Sequence, residues 1–281
     1  MTTDPALLQF LSNQAAINQE VLQMTARQHW QETLATARYQ QPKRLLKHGH
    51  KVYSQQDEDG IIAEILRRLG DKVPRSFIEF GVENGLECNT LRLLLDGWSG
   101  LWLEGEAKYV EQINTHLADY TSAGKLKVGH AFVTTKNVNE LFTAHGMTGD
   151  IGLLSIDIDG NDIWVWQAVT AVRPAIFISE YNATWAPPLS IAQPSDEKIY
   201  WRGTNYFGCS LAALAKVSAS KGYKLVGCNF SGANAFFVRE DLVGDHFHAP
   251  FTAEEHYEPA RYWLRFLKAG HRAGVGPVVT V

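Results

Sequence analysis

The period of the apolar positions changes along this chain, and the changes lay out its elements. From residue 5 to 40 the pattern is helical and free of glycine. Phe10, Ile17, Val21 and Met24 share one face at near-heptad spacing, interrupted by Gln14 and Gln28. Such a face either packs on the chain's own domain or joins a second copy in a homodimer; the interruptions break a strict coiled coil. Acids at Asp57, Glu58 and Asp59 precede the amphipathic run from Ile61 to Leu66. Acids there meet the positive end of a helix dipole, and Gly70 closes the helix. Beyond it, strands are predicted at 76–81, 100–104, 126–133, 151–157 and 174–180. Helices are predicted at 85–96, 107–118, 136–145, 161–171 and 209–221. A last strand pair is expected at 223–229 and 234–239, with turn residues Gly232-Ala233-Asn234 between. Alternating strands and helices predict a Rossmann-like α/β fold, its sheet mostly parallel and covered on both faces.

The stretch from Asn182 to Gly208 breaks the alternation. It holds Trp185, Pro187-Pro188, Tyr200, Trp201 and Tyr206. The prolines forbid a long helix, and the aromatic content argues against disorder. A loop of this length in a compact domain is usually functional. It follows the fifth strand, which places it at the carboxyl edge of the sheet. The expected organisation is an N-terminal helical extension (1–52), a catalytic α/β domain (53–245) carrying this loop, and an aromatic tail (246–281). The tail, with Tyr257, Tyr262, Trp263 and Phe266, packs on the domain or on the loop.

Composition narrows the class. The chain has 281 residues, a net charge of −4 and 45% hydrophobic content, enough for one large core. Mild acidity gives no general attraction to nucleic acid or to anionic lipid, and the basic run from Lys43 to Lys51 reads as a solvated face. No apolar run reaches the length of a membrane span, and the polar start lacks a signal-peptide core. Cys88, Cys209 and Cys228 fit neither a disulfide framework nor a zinc pattern, so reduced thiols and a cytoplasmic location are expected.

The chemistry begins at Ser76. An apolar strand runs into Glu79-Phe-Gly81-Val-Glu-Asn-Gly85, a helix follows, and a second apolar strand ends on Glu104, 19 residues after Gly85. This is the opening of a nucleotide-binding unit; the glycines let the backbone approach a ligand, and the second acid can accept both ribose hydroxyl protons. Glu79 stands where a dinucleotide fingerprint needs its first glycine, and Glu83 adds charge to the turn. The loop therefore suits a cationic ligand better than a pyrophosphate.

A second cluster closes the fourth strand: Ser155-Ile-Asp157-Ile-Asp159-Gly160-Asn161-Asp162. Asp157, at the strand tip, is the first choice for a general base. Asp162 reads as a cap of the following helix. With Glu180 and Asn182 after the fifth strand, Asp157 and Asp159 form a candidate oxygen-ligand set for Mg²⁺ or another hard divalent ion. The same carboxylates could instead orient an acceptor hydroxyl.

Glu79-x-Gly81-x-x-x-Gly85 followed by Glu104 resembles class I S-adenosylmethionine-dependent methyltransferases. Tyr53-Ser54-Gln55, Asp57-Glu-Asp59-Gly60, Phe77-Ile-Glu-Phe-Gly-Val82, Leu103-Glu104, Ser155-Ile-Asp157-Ile-Asp-Gly160 and the run from Gly222 extend the resemblance, most closely to the FkbM-like group, over about residues 53–239. The resemblance implies an antiparallel last strand and O-methyl transfer to a hydroxyl of a sugar or polyketide. It places Ser54 and Gln55 beside the cofactor and the adenine near His130 and Ala131. His130 departs from the acid or amide usual there; it stacks near the adenine, serves as a second-choice base, or is a hydrogen-bonded structural residue. Asn161-Asp162 and the long aromatic loop also depart from the group, which bears on the acceptor more than on the cofactor. Trp185, Tyr200, Trp201 and Tyr206 are the expected walls for a small-molecule or glycan acceptor. Two rival readings stand beside this one. Asp157-Ile-Asp159 matches the Asp-x-Asp of metal-dependent nucleotide-sugar glycosyltransferases, although residues 150–172 contain no basic side chain. The fold could also serve a non-catalytic cofactor- or glycan-binding module.

Overall fold

The computed structural model describes residues 4–196, 201–262 and 271–281. The chain opens with α1 (Pro5–Leu34), capped by Asp4, whose carboxylate accepts the Ala6 amide proton, and with the short α2 (Ala37–Gln40). The expected single helix over 5–40 is thus two. Residues 5–25 of α1 are all exposed, and only its last turns touch the domain, where Trp30 stacks on Phe230 with ring centroids 4.5 Å apart. Helix α3 (Glu58–Leu69) follows and ends at Gly70 in a left-handed conformation.

The sheet is built from β1 (Ser76–Phe80), β2 (Ser99–Glu104), β3 (Leu126–His130), β4 (Gly149–Ile156), β5 (Val172–Glu180), a two-residue β6 (Ile191–Ala192) that lies apart, β7 (Tyr223–Cys228) and β8 (Asn234–Arg239). Its order is β3-β2-β1-β4-β5-β8-β7. The first five strands run parallel; β8 inserts antiparallel between β5 and β7. This is the Rossmann-like sheet with an antiparallel closing strand that the sequence pattern predicts. Strand order reverses between β1 and β4, so the carboxyl ends of those strands flank the crevice where α/β sheets bind ligands.

Alternation along β1 sends Phe77 to one face and Ile78 to the other, and each face is covered. Phe77 belongs to the buried cluster on one face that includes Ile61 and Ile65 of α3 and Trp102. Ile78 packs with Leu101, Phe142, Ile163 and Phe177. Helices between the strands are α4 (Leu91–Leu95), α5 (Ala107–His116), α6 (Ala118–Ser122), α7 (Val138–Ala144), α8 (Asp162–Ala168) and α9 (Leu211–Ser220), followed by the short α10 (Glu240–Val243) and α11 (Ala253–His256).

One helix is much shorter than the pattern predicts. Residues 85–90 are turns, because the amide protons of Asn89 and Thr90 are drawn to the Glu79 carboxylate, at 2.9 Å each, and α4 starts only at Leu91. The C-terminal tail packs on both surfaces considered for it. Tyr181 donates its hydroxyl proton to the Glu258 carbonyl, fixing the tail to the domain, while β9 (Val279–Thr280) pairs antiparallel with β6 in the acceptor loop. Two aromatic residues expected to help the tail pack, Trp263 and Phe266, lie outside the described residues. The three cysteines are buried free thiols. Among the described residues no helix is long and apolar enough to cross a membrane.

Candidate functional site

Parallel register assembles the site. Glu104 pairs with His130, and Glu180 with Asn234. Phe80 pairs with Leu103 and with Ile156, and Ile156 pairs with Ser179, so one step further Gly81 lies between Glu104 and Asp157, and Asp157 beside Glu180. His130, Glu104, Gly81, Asp157, Glu180 and Asn234 therefore form one row across the carboxyl edge of the sheet, although 104 residues separate His130 from Asn234 in the chain.

Gly81 has φ +70°, and a Cβ built there would lie 1.8 Å from the Asp157 carbonyl oxygen. Only glycine lets the β1 turn lie so close to the β4 tip. Gly85, at φ +77°, has the same freedom; its missing side chain leaves room for Trp102. Glu83 between them also has a positive φ, and its amide proton goes to Glu104 Oε2 at 2.8 Å. Glu104 Oε1 accepts the Glu106 amide proton at 2.9 Å. The Glu104 carboxylate is thus fixed by one backbone donor on each oxygen, with a second lone pair on each left to accept a ligand hydroxyl. Burial holds its pKa above the usual carboxylate range.

Glu79 has a different role in the turn. Both oxygens are taken by the Asn89 and Thr90 amides and by the Thr90 hydroxyl at 2.6 Å, and Thr90 accepts in turn from the Trp102 indole. It shapes the glycine loop from beneath. Ser54 is also buried in a structural loop: its hydroxyl donates to Asp59 Oδ2, which accepts the amide protons of Val52, Tyr53 and Ser54 as well. Gln55 is exposed next to it. At the end of β3, His130 is exposed with Nε2 3.0 Å from the Gly105 carbonyl, and the Ala131 amide donates to the Glu104 carbonyl.

Of the four candidate oxygen ligands, the three acids come together and the amide, Asn182, does not. Carboxylate oxygens of Asp157, Asp159 and Glu180 all lie within 4.8 Å of one another. Burial raises the pKa of Asp157 well above the usual range, and the neighbouring charges of Asp159, Asp162, Glu79 and Glu58 add to it. Glu180 is raised by burial and then by Asp157, Asp162 and Asp159. Asp159, in a left-handed conformation, is raised by burial and by Glu83. Asp162 is pushed up to about 6 by burial, against the amide protons of Ile158 and Gly160 that its carboxylate accepts. Those two bonds close the turn before α8; Asp162 does not cap the helix, whose N-cap is Asn161, but places a carboxylate in its first turn. Carboxylates crowded this closely fit a bound cation, which would offset their repulsion.

Asn182 is committed elsewhere. Its amide donates to the carbonyls of Asn205 and Phe207, and its oxygen accepts from the Thr184 amide and hydroxyl. It ties the two ends of the acceptor loop together. Within that loop Trp185 meets Tyr206 edge-on at 6.2 Å, and the Tyr206 hydroxyl donates to the Pro277 carbonyl. Trp201 is exposed and edge-on to His271 at 4.8 Å. Tyr200 lies outside the described residues.

Two contributors escape sequence reasoning. Phe132, 58% exposed just beyond β3, lies beside Gly105 at the carboxyl edge of the sheet. An apolar residue directly after a strand tip was the available signal. Glu58, fully buried, accepts side-chain amide protons from Asn229 and Asn234 and so joins α3 to the β7–β8 turn; the sequence marks it as a helix-start acid but not as this long-range acceptor.

No protein-family model matches the chain, and no curated protein matches it. Solved structures similar to it are S-adenosylmethionine-dependent methyltransferases. One is the magnesium protoporphyrin IX methyltransferase of Synechocystis PCC 6803 with bound S-adenosylhomocysteine, at 13% identity and TM-score 0.45, over 80% of this chain and 99% of that one. Another is an O-methyltransferase of Bacillus cereus with S-adenosylhomocysteine, at 12% identity and TM-score 0.42, over 77% and 89%. What the site does is read from its own geometry.

Proposed function

We propose that this chain is an S-adenosylmethionine-dependent O-methyltransferase of the FkbM-like kind, acting on a hydroxyl of a sugar, glycan or related small molecule. The observation that carries the reading is the single row of Glu104, Gly81 and Asp157, which sets a fixed ribose acceptor and a glycine gap beside a carboxylate of raised pKa. The cofactor, when bound, supplies a methyl group on a sulfonium whose departure leaves a neutral thioether. Glu104 accepts the ribose hydroxyl protons, and Phe132 offers a flat apolar wall for the adenine. Asp157 would take the acceptor's hydroxyl proton as the acceptor oxygen accepts the methyl group. A carboxylate whose pKa is raised is a better match for this task than an ordinary one. Trp185, Trp201 and Tyr206 flank the acceptor and exclude water, and the loop's ties to the tail hold them in place. In the alternative role Asp157, with Asp159 and Glu180, would hold a divalent ion, whose chemistry would be to lower the acceptor hydroxyl's pKa in place of a base.

Thermal unfolding with S-adenosylhomocysteine, against NAD and UDP-glucose, tests the cofactor. A ligand at about 100 times its dissociation constant stabilises by about 2.7 kcal/mol, enough to raise the midpoint by a few degrees. The shift is expected with S-adenosylhomocysteine alone. A shift with UDP-glucose alone would sink the proposal and favour a glycosyltransferase using Asp157 and Asp159. Activity lost in chelator and restored by Mg²⁺ would support the metal; full activity in chelator would remove it.

A further inference from the structure

Helix α1 exposes an apolar stripe that its own domain leaves uncovered. Every residue from 5 to 25 is exposed, including Phe10 at 62% and Met24 at 72%. The helix leaves the domain at one anchored point, where Trp30 stacks on Phe230 and the Arg261 guanidinium lies 4.3 Å from the same ring. In proteins most helical stability comes from packing an amphipathic face rather than from propensity, and the domain supplies no such packing to residues 5–25.

The stripe has a register. Leu7, Gln14 and Val21 fall at heptad positions a, and Phe10, Ile17 and Met24 at positions d. The seam runs from Leu7 to Met24, about 26 Å at about 1.5 Å per residue. A β-branched a position such as Val21 favours two strands, and one polar residue at a, here Gln14, fixes register and oligomer state. The flanks then choose the direction. In a parallel, in-register pair each g residue faces the residue five positions later on the other helix. This sets Arg27 against the partner's Glu32 and Asn13 against the partner's Asn18, and both Gln14 amides share one layer. Arg27 and Glu32 flank Gln28 and Gln31, the next a and d positions past the Met24 end of the apolar seam; an antiparallel pair sets Arg27 beside the partner's Ala6 and carries Glu32 past the start of the partner's helix.

We propose that α1 is a dimerisation helix that pairs, parallel and in register, with α1 of a second copy of this chain. The two domains then sit side by side at the C-terminal ends of the paired helices. The inference does not depend on the catalytic reading.

Sedimentation equilibrium of the full chain tests it. The expected mass is twice 31.4 kDa. Phe10→Glu should raise the dimer dissociation constant by about 100-fold, because a charge would enter the seam. Arg27→Glu and Glu32→Arg should each weaken the dimer, and the double reversal should restore it. Residues 27 and 32 are too far apart on one helix to pair within it, so rescue reports on pairing between chains. Leu7→Cys should crosslink two chains under oxidation, the native cysteines being buried. A monomer at all concentrations overturns the proposal. So does a dimer indifferent to Phe10→Glu, a failure of Leu7→Cys to crosslink while Leu7→Cys with Met24→Cys does, or a monomer that binds phosphatidylcholine vesicles through α1.

Discussion

Asp157 lies beside Asp159, Glu180 and the Gly81 turn, and burial, with the charges crowded around it, raises its pKa, as the proposed base requires. A general base works only when unprotonated, so transfer should rise with pH through a pKa above the ordinary carboxylate range. Asp157→Asn should reduce transfer by about 10²- to 10⁴-fold while S-adenosylhomocysteine still raises the melting midpoint. Unchanged turnover in that variant, or an acid limb at the pKa of a free aspartate, would remove Asp157 from the role. Glu104 makes a separable prediction. Its oxygens are oriented by the Glu83 and Glu106 amides, and in Glu104→Gln one oxygen becomes a donor. Loss of a charged acceptor costs about 1.5–3 kcal/mol, so cofactor affinity measured by calorimetry should fall about 10- to 100-fold with the turnover of bound substrate little changed.

At the scale of elements, the acceptor loop depends on one side chain. Asn182 makes four hydrogen bonds that join Thr184 to Asn205 and Phe207. Asn182→Ala leaves two carbonyls without their donor and should cost about 2–4 kcal/mol, read as a lower urea midpoint, with the acceptor KM rising more than that for the cofactor. Strands were legible in the sequence because buried parallel strands are continuous apolar runs bounded by turn residues; 234–239 and the cores of the other six appear where expected. The acids at strand tips were legible for the same reason, since a charge ending an apolar run has to emerge at the sheet edge. One helix start was not: the helix expected from 85 begins at Leu91, while α5 and α8 start within a residue of the expected positions. The 85–90 segment has helical composition, yet a carboxylate ten residues upstream captures its amides, a long-range competition that local periodicity does not carry. Asn182 misled in a related way: its position after β5 suggested a ligand, but a buried amide is drawn to whichever backbone groups lack partners.

Across the whole molecule, the two extensions close on each other behind the sheet. The Tyr39 hydroxyl donates to Glu258, Arg38 donates to the carbonyls of Glu255 and Tyr257, and Arg44 pairs with Glu255. His256 is buried at this seam, with Nε2 3.1 Å from the His248 carbonyl and its ring parallel to Phe251. Burial first, then the positive charge of Arg44 and the neighbouring His248, hold its pKa down at about 4. An unfolded chain returns it to about 6.5. Between these values the unfolded state binds more protons than the folded one, so stability rises with pH there and is lost as pH falls from about 6.5 to about 4. The full shift corresponds to about 3 kcal/mol. The acid cluster moves the other way, because groups of raised pKa favour the folded chain at lower pH, so the effect of His256 has to be read as a difference. Urea unfolding of the wild type and of His256→Gln at about pH 7 and about pH 4.5 isolates it. The stability advantage of the wild type over the variant should shrink by about 2–3 kcal/mol on acidification. A difference that stays constant across that interval would mean His256 does not remain neutral in the folded seam, and that closure of the two extensions does not exclude a proton from it.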